Sequence, residues 1–229
     1  MTDQHDIAGL KNVLAEARQT NFANVTPDEQ EELAELSKEK PEDLDIIKDG
    51  SRSKVGSYQL ASGREVVLKY YYPTNIVKKL RNRVTQSRCK RSWIAAHGFA
   101  HLGIPTPSVL AIAEFYQLGI FNSMSFLATD RAHGIQLRFL EESRYEAIAP
   151  ALTSAFKTMD DYHLAHGDLK NTNIIINENN EITFVDLDAT RFNLRGIFWK
   201  RARAYDRFRF HKNWWDRPYA AEILNDCIT

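Results

Sequence analysis

The stretch His-Gly-Asp-Leu-Lys-Asn-Thr-Asn fills residues 166–173, and Phe-Val-Asp-Leu-Asp follows at residues 184–188. Transfer of a phosphoryl group requires a base for the attacking hydroxyl, ligands for a metal on the phosphates, and positive charge on the moving group. The loop carries an Asp, a Lys and an Asn, and the second stretch adds a carboxylate. The sequence therefore predicts a phosphotransferase site. Its side chains are Asp168, Lys170, Asn173 and Asp186.

The surroundings of this loop predict the secondary structure that presents it. In residues 148–163 the apolar positions recur at intervals of three and four, which predicts a helix packed on one face. After the loop, residues 174–176 and 182–185 are strand-like and flank a turn at residues 177–181. Such a hairpin brings its two ends to one edge, so we expect the loop and Asp186 to meet there.

The ordered set of helix, loop, hairpin and carboxylate resembles the catalytic centre of the protein-kinase superfamily, with Gly167 where protein kinases usually carry Arg. The resemblance implies that Asp168 orients and deprotonates the acceptor hydroxyl while Lys170 steadies the transferring phosphoryl group. It also implies ATP as the donor and Mg²⁺ held by Asn173 and Asp186. His-Gly-Asp alone is weak evidence, so the whole ordered set carries this interpretation.

The upstream half of the chain is expected to bind the nucleotide. Two strand-like runs, residues 53–60 and 65–72, follow an extended segment. Lys69 lies in the second run, at the position of the phosphate-pairing lysine in the third strand of kinases. The turn before the first run offers Gly50 and Ser51 to phosphates, although it is not a G-x-G-x-x-G loop.

Two features depart from the kinase pattern. Kinases normally pair the strand lysine with a Glu on the first-lobe helix, yet no acidic residue occurs between Lys69 and Glu114, and Ser92 stands about where that Glu is expected. Either another arrangement replaces the pair or activity is impaired. Asp-Leu-Asp replaces Asp-Phe-Gly at residues 186–188, and Asp188 is either a ligand of a second metal or a loop carboxylate.

Within the superfamily, the chain resembles the lipopolysaccharide core kinases, which phosphorylate heptose or 3-deoxy-manno-octulosonic acid in the inner core. The resemblance implies an α+β fold of the bilobal protein-kinase type. A β-rich N-lobe is expected over residues 43–130 and a reduced, mainly helical C-lobe over residues 131–229, after an acidic helical extension over residues 1–42. The segments that carry the resemblance are residues 49–53, 67–72, 89–112, 166–176 and 185–192.

We expect the acceptor to be a glycolipid or a sugar. The segment after Asp188 has no Ala-Pro-Glu motif and is too short for the large helical lobe that positions peptides in protein kinases. A basic stretch at residues 78–91 and a helix near residues 194–208 with apolar and basic faces suit an anionic membrane surface. Packing of this helix on its apolar side, with solvated charges, is the alternative. The apolar side comprises Leu194, Phe198, Ala202, Tyr205 and Phe208.

Composition sets further limits on partners and location. Lys and Arg total 30, as do Asp and Glu, and no nucleic-acid module accompanies the basic stretch, so we do not expect a nucleic acid partner. The two cysteines show no metal or redox spacing. Because the first residues lack the order of a signal peptide and no apolar run reaches bilayer length, we expect a cytoplasmic protein at the inner face of the cytoplasmic membrane.

Three functions remain open from the sequence. The first is a kinase for a sugar of lipopolysaccharide core or a similar glycolipid, favoured by residues 93–107 and the short C-lobe. The second is another small-molecule kinase or an atypical protein kinase, favoured by the generic catalytic loop. The third is a pseudokinase that binds partners without chemistry, favoured by the missing Glu and the irregular phosphate loop. Retention of the complete polar set argues against the third.

Overall fold

The computed structural model describes residues 4–73, 86–118, 121–192, 194–214 and 217–228. The chain divides into two compact units. The C-terminal unit comprises the described residues within Met1–Val13, Gly98–Thr106 and Ala132–Thr229, and the N-terminal unit comprises those within Leu14–His97 and Pro107–Arg131. Each unit combines helices with a sheet, which confirms the α+β class. The domain boundaries after residues 42 and 130 remain predictions.

The N-terminal unit is built on an antiparallel sheet with the strand order β1-β2-β3-β5-β4. Strands β2 and β3 confirm the two predicted runs. Strand β4 was not predicted, because residues 109–112 are all buried and show no alternation from which a strand could be read. The strands are β1 Asp45–Gly50, β2 Ser53–Gln59, β3 Glu65–Tyr71, β4 Val109–Gln117 and β5 Phe121–Asp130.

Helices cover the N-terminal part of the chain as predicted. Helix α1 spans Gln4–Glu16 and helix α2 spans Pro27–Lys38. A capping box starts α2, since the Thr26 hydroxyl accepts from the Glu29 N–H at 3.2 Å and the Glu29 carboxylate accepts from the Thr26 N–H at 3.1 Å. Leu33 of α2 is buried in the hydrophobic core of the sheet. Helix α2 therefore covers one sheet face of the N-terminal unit.

The C-terminal unit contains the predicted helix and hairpin. Helix α4, Tyr145–Asp161, buries Ile148, Leu152, Phe156 and Met159, as the apolar spacing predicted. Strands β6 Ile135–Gln136, β7 Ile174–Ile176 and β8 Ile182–Phe184 form its three-stranded sheet. Helix α5, Gly196–His211, and helix α6, Pro218–Leu224, follow.

Helix α5 does not pack on its apolar side. Phe198 is 69% exposed and Phe208 is 60% exposed, whereas Arg203 and Asp206 are buried. The helix turns this way because Asp206 binds backbone N–H groups of the loop at residues 166–173. The apolar stripe is thus left at the surface, and the alternative in which this stripe packs inward is wrong.

The basic stretch predicted at residues 78–91 lies mostly outside the described residues. Its last residues enter helix α3, Arg88–His101. Cys89 and Trp93 of this helix are buried, and the Trp93 indole donates to the Ala17 carbonyl at 2.9 Å. The described part of the stretch therefore contributes to the core of the N-terminal unit as well as to its charge.

Candidate active site

The loop between α4 and β7 is held by backbone bonds to the segment after β8. Ala165 and Arg191 exchange two hydrogen bonds, at 3.0 and 2.9 Å, in an isolated antiparallel bridge. The Thr190 hydroxyl also lies 3.4 Å from the His166 carbonyl, to which it donates. These contacts join the two sequence motifs within the C-terminal unit, as the predicted hairpin geometry requires.

Asp206 of α5 binds the backbone at the start of the loop. Its carboxylate accepts the N–H of His166 at 2.7 Å and the N–H of Gly167 at 2.9 Å. Burial raises the pKa of Asp206, while the nearby His166 and the two N–H groups oppose that rise. A buried carboxylate therefore fixes the backbone that leads directly into Asp168.

His166 is a structural residue of this loop. Its side chain is buried, and its ring lies against Phe99 and Phe184 at centroid distances of 6.4 and 6.2 Å. Burial lowers the pKa of His166. Its Nδ1 accepts the N–H of Asp168 at 3.4 Å. The imidazole thus packs into the core and orients the residue two positions later.

Gly167 explains the absence of the Arg that protein kinases usually carry there. Its φ is +80°, in the left-handed region, and a Cβ at this position would overlap the backbone carbonyl of Ala189. Both the conformation and the available space exclude a side chain. The departure from the kinase pattern is therefore a requirement of this loop.

Asp168 lies at the centre of a cluster of hydrogen bonds. Its Oδ2 accepts from Lys170 Nζ at 2.8 Å and from Asn173 Nδ2 at 3.3 Å, and its carbonyl accepts from the same Asn173 amide at 2.9 Å. Its Oδ1 accepts from Arg209 Nη2. Burial opposes ionisation, but Lys170 and Arg209 outweigh it, so the pKa of Asp168 lies below its usual value. The carboxylate is ionised and precisely oriented.

Strands β7 and β8 bring the two predicted metal ligands to one end of the hairpin. Ile174 pairs with Phe184, and the Val185 N–H donates to the Asn173 carbonyl at 2.9 Å. Asp186, the next residue, adopts a left-handed backbone with φ 61° and ψ 56°. Non-glycine residues are uncommon in this region, and such conformations concentrate at functional sites.

The donor chemistry of this pair fits Mg²⁺. The Asn173 amide nitrogen is engaged by Asp168, which leaves the amide oxygen for a ligand. Mg²⁺ takes oxygen donors and commonly binds through one or two protein groups while water and phosphate oxygens fill the rest. No cluster of three or more His, Cys, Asp or Glu suited to a metal occurs in the described ranges. Asp188 is 6% exposed, and its role as a second ligand remains a prediction.

In the N-terminal unit, Lys69 lies on β3 and is paired with Leu127 of β5. Lys69 and Tyr71 share one face of the sheet. Tyr71 pairs with Ser125 of β5, and Ser125 pairs with Glu114 of β4, so Glu114 lies on this face too. The Glu114 Oε1 is buried and has no hydrogen-bond partner in the described part of the chain. The first acidic residue after Lys69 in the sequence therefore lies on the same sheet face.

The remaining predicted phosphate-binding groups lie at the hairpin between β1 and β2. Gly50 ends β1 opposite Ser53, and Ser51 is exposed in the turn. Of the predicted turn at residues 49–51, Asp49 and Gly50 belong to the strand, and the turn itself is Ser51-Arg52. Ser92, where a Glu was sought, is buried on α3, and its hydroxyl makes no hydrogen bond to any residue that the structure describes. Ser92 therefore does not substitute for the absent ion pair.

Two residues at the site, Asp206 and Arg209, were not predicted. Both come from α5, and Asp206 is 40 residues beyond the loop position that it binds. A signal was present, since Asp206 is the one acidic residue in the sequence of α5. A lone carboxylate in a basic helix is a candidate for a buried hydrogen-bond acceptor. The aromatic residues of the same helix instead predicted a functional surface on the opposite face.

Comparison with protein families gives a match that covers most of both units. The profile of the lipopolysaccharide kinase (Kdo/WaaP) family matches residues 42–218 of the 229. The chain belongs to this family. Membership of a kinase family makes it a phosphotransferase and implies the use of ATP. The family resemblance drawn from the sequence is confirmed.

Two further observations bear on the chain as a member of this family. A search of curated proteins found no match. Among the described residues, no helix has both the length and the apolar character needed to cross a membrane.

Proposed function

We propose that this lipopolysaccharide kinase family member transfers the γ-phosphoryl group of ATP to a sugar hydroxyl of lipopolysaccharide inner core or of a related glycolipid. The observation that carries the proposal is the Asp168 carboxylate, held ionised by Lys170 and Arg209. A base must be positioned before it can accept a proton in the transition state. The family match supplies the acceptor class.

Each predicted side chain has a role in this reaction. Asp168 orients the acceptor hydroxyl and takes its proton, and Lys170 neutralises charge on the moving phosphoryl group. Asn173 and Asp186 hold Mg²⁺, with Asp188 as the ligand of a second ion. When bound, the metal neutralises phosphate charge.

The nucleotide half of the proposal rests on the N-terminal unit. Lys69 pairs with the nucleotide phosphates, and Gly50 and Ser51 contact them from the β1–β2 turn. Glu114 supplies the carboxylate that steadies Lys69, because it lies on the same sheet face and its Oε1 has no hydrogen-bond partner among the described residues. The two units are, in this proposal, the N-lobe and the reduced C-lobe of a bilobal kinase, with residues 1–42 as an extension.

The test of the proposal is the transfer of label from γ-labelled ATP to purified inner-core lipopolysaccharide in the presence of Mg²⁺. We expect transfer by the native chain, none by Asp186→Ala, and normal transfer by Asp226→Ala, which removes an exposed carboxylate from the turn after α6. Absence of transfer while ATP still binds would indicate that the chain phosphorylates a different acceptor or is a pseudokinase.

Helix α5 supports a membrane-surface location. Its one acidic residue, Asp206, is buried, so the outer face combines apolar and basic side chains without negative charge. Amphipathic helices of this composition bind anionic lipid interfaces. Exposed apolar residues on this face are Ile197, Phe198, Tyr205 and Phe208, and exposed basic residues include Lys200, Arg201 and Lys212.

Co-sedimentation with vesicles tests this location. We expect the chain to sediment with vesicles that contain phosphatidylglycerol and to remain in the supernatant when the vesicles are zwitterionic phosphatidylcholine. The double variant Phe198→Ser with Phe208→Ser loses binding, whereas Phe139→Ser, which changes another exposed Phe of the same unit, retains it. Equal binding to the two vesicle types would remove the preference for an anionic membrane surface from the proposal.

A further inference from the structure

Arg209 occupies one side of the catalytic carboxylate. Its Nη2 donates to Asp168 Oδ1, while Lys170 and Asn173 both donate to Oδ2. Each carboxylate oxygen has two lone-pair directions. Among the described residues, Oδ2 is therefore filled and Oδ1 retains one direction. An acceptor hydroxyl that gives its proton to Asp168 must approach Oδ1, and so must lie next to the Arg209 guanidinium.

The Arg209 guanidinium has unused capacity at this point. It carries five N–H donors, and Asp168 is its one ion-pair partner among the described residues. Its side chain is 31% exposed, so the remaining donors are open to a ligand. The Tyr205 ring lies one helical turn earlier, 6.0 Å from the guanidinium carbon, and is 48% exposed. Together they form an open surface beside the catalytic oxygen.

The electrostatics of this surface select a charged acceptor. The ionised Asp168 repels an anion brought near its Oδ1, and the guanidinium offsets this repulsion. A planar guanidinium also matches the two oxygens of a carboxylate or a phosphate. A neutral acceptor leaves these donors without an anion. The site therefore discriminates by the substituent next to the reacting hydroxyl.

We propose that Arg209 is a specificity residue that binds a carboxylate or phosphate group adjacent to the acceptor hydroxyl, with Tyr205 as the surface for the sugar ring. The inference rests on the proposed function and names its substrate class: an acidic or phosphorylated sugar. It differs from a purely structural role for Arg209, in which the guanidinium only holds Asp168 and every acceptor is affected equally.

The experiment compares soluble acceptors that differ only in charge. One pair is a glycoside of 3-deoxy-manno-octulosonic acid and its methyl ester, and the other is a heptose with and without a phosphate. KM and kcat are measured for the native chain, Arg209→Gln, Arg209→Lys and the control Arg138→Gln, which removes an exposed charge elsewhere in the same unit. Binding of the same sugars without ATP is measured by calorimetry.

We expect Arg209→Gln to raise KM for the charged member of one pair by roughly 10- to 100-fold, the usual weight of a hydrogen-bonded charge pair. KM for the neutral member changes little, Arg209→Lys restores part of the loss, and Arg138→Gln behaves as the native chain. The acceptor pair whose KM changes shows whether Arg209 binds a carboxylate or a phosphate. Losses that are equal for charged and neutral acceptors would overturn the inference.

The calorimetric arm separates the two claims. Binding of a charged sugar that depends on Arg209, without any transfer, would uphold the anion site and contradict the proposed phosphotransfer. Transfer with the same KM for charged and neutral acceptors would uphold phosphotransfer and remove the anion site. Neither binding nor transfer of any of these sugars would overturn both.

Discussion

The loop at residues 166–173 and the sheet face that carries Lys69 differ in how far their charged groups already have partners. Around Asp168, both carboxylate oxygens accept hydrogen bonds, and a buried Asp206 fixes the backbone before it. On the sheet, Lys69 forms no ion pair with any described carboxylate, and the Glu114 Oε1 has no hydrogen-bond partner there. One region is pre-organised, and the other leaves the Lys69 ammonium for a negatively charged ligand.

This difference has a physical basis. A base must stand in one orientation before the reaction, since misplacement of a reacting group costs rate directly. Binding of a nucleotide brings its own negative charge and can draw a flexible lysine into place. We therefore expect changes in the loop to reduce kcat, and changes in the sheet to act mainly on KM for ATP.

Gly167→Ala is the change expected to break the loop most strongly. The left-handed φ and the overlap with the Ala189 carbonyl together cost about 2–5 kcal/mol, and displacement of Asp168 lowers kcat by roughly 100-fold. Gly63→Ala is the matched control, because φ is +85° but no atom lies within 4 Å of the added Cβ. Thermal unfolding and steady-state kinetics measure both effects. Equal losses in the two variants would show that sterics at the loop are unimportant.

Lys170→Gln should lower kcat by roughly 10- to 100-fold and also change its pH dependence. Lys170 helps to hold the pKa of Asp168 below its usual value, so its removal raises that pKa. Since only the ionised carboxylate accepts a proton, the acidic limb of the kcat/KM profile moves to higher pH. Lys157→Gln, which removes an exposed ion pair with Asp161 on α4, leaves the limb in place. An unmoved limb in Lys170→Gln would contradict the electrostatic role.

Ser51→Ala gives the smallest expected effect and tests the sheet side. Loss of one neutral hydrogen bond to a phosphate raises KM for ATP by about 2- to 10-fold, with kcat retained. Ser62→Ala changes the other hairpin turn of the same sheet and serves as the control. A fall in kcat without a change in KM would mean that this turn acts on the reaction rather than on nucleotide binding.

The sequence predicted the loop and hairpin because their chemistry and their folding signals are both local. Asp168, Lys170 and Asn173 lie within six residues, and the strands that present Asp186 are short apolar runs around a polar turn. The capping box of α2 is local in the same way. In each case the residues that make the contact are neighbours in the chain.

The parts that the sequence did not predict depend on distant partners. Asp206 and Arg209 reach the loop from α5, 40 and 41 residues further along the chain. Helical spacing shows which residues share a face but not which face is buried when both carry apolar side chains. The buried face of α5 is the one whose Asp206 binds backbone N–H groups of the loop, and no local sequence pattern shows that contact.

The central claim is that Asp168 directs transfer of the ATP γ-phosphoryl group to a sugar hydroxyl. Phosphorus NMR of inner-core lipopolysaccharide incubated with ATP and Mg²⁺ tests it most directly, run beside Asp168→Ala and the control Asp161→Ala. We predict a new sugar phosphomonoester, equal in amount to the ADP formed, for the native chain and for Asp161→Ala. Its rate falls by about 10²- to 10⁴-fold in Asp168→Ala. The same phosphomonoester at a native rate in Asp168→Ala, or none from a native chain that binds ATP, would contradict the account.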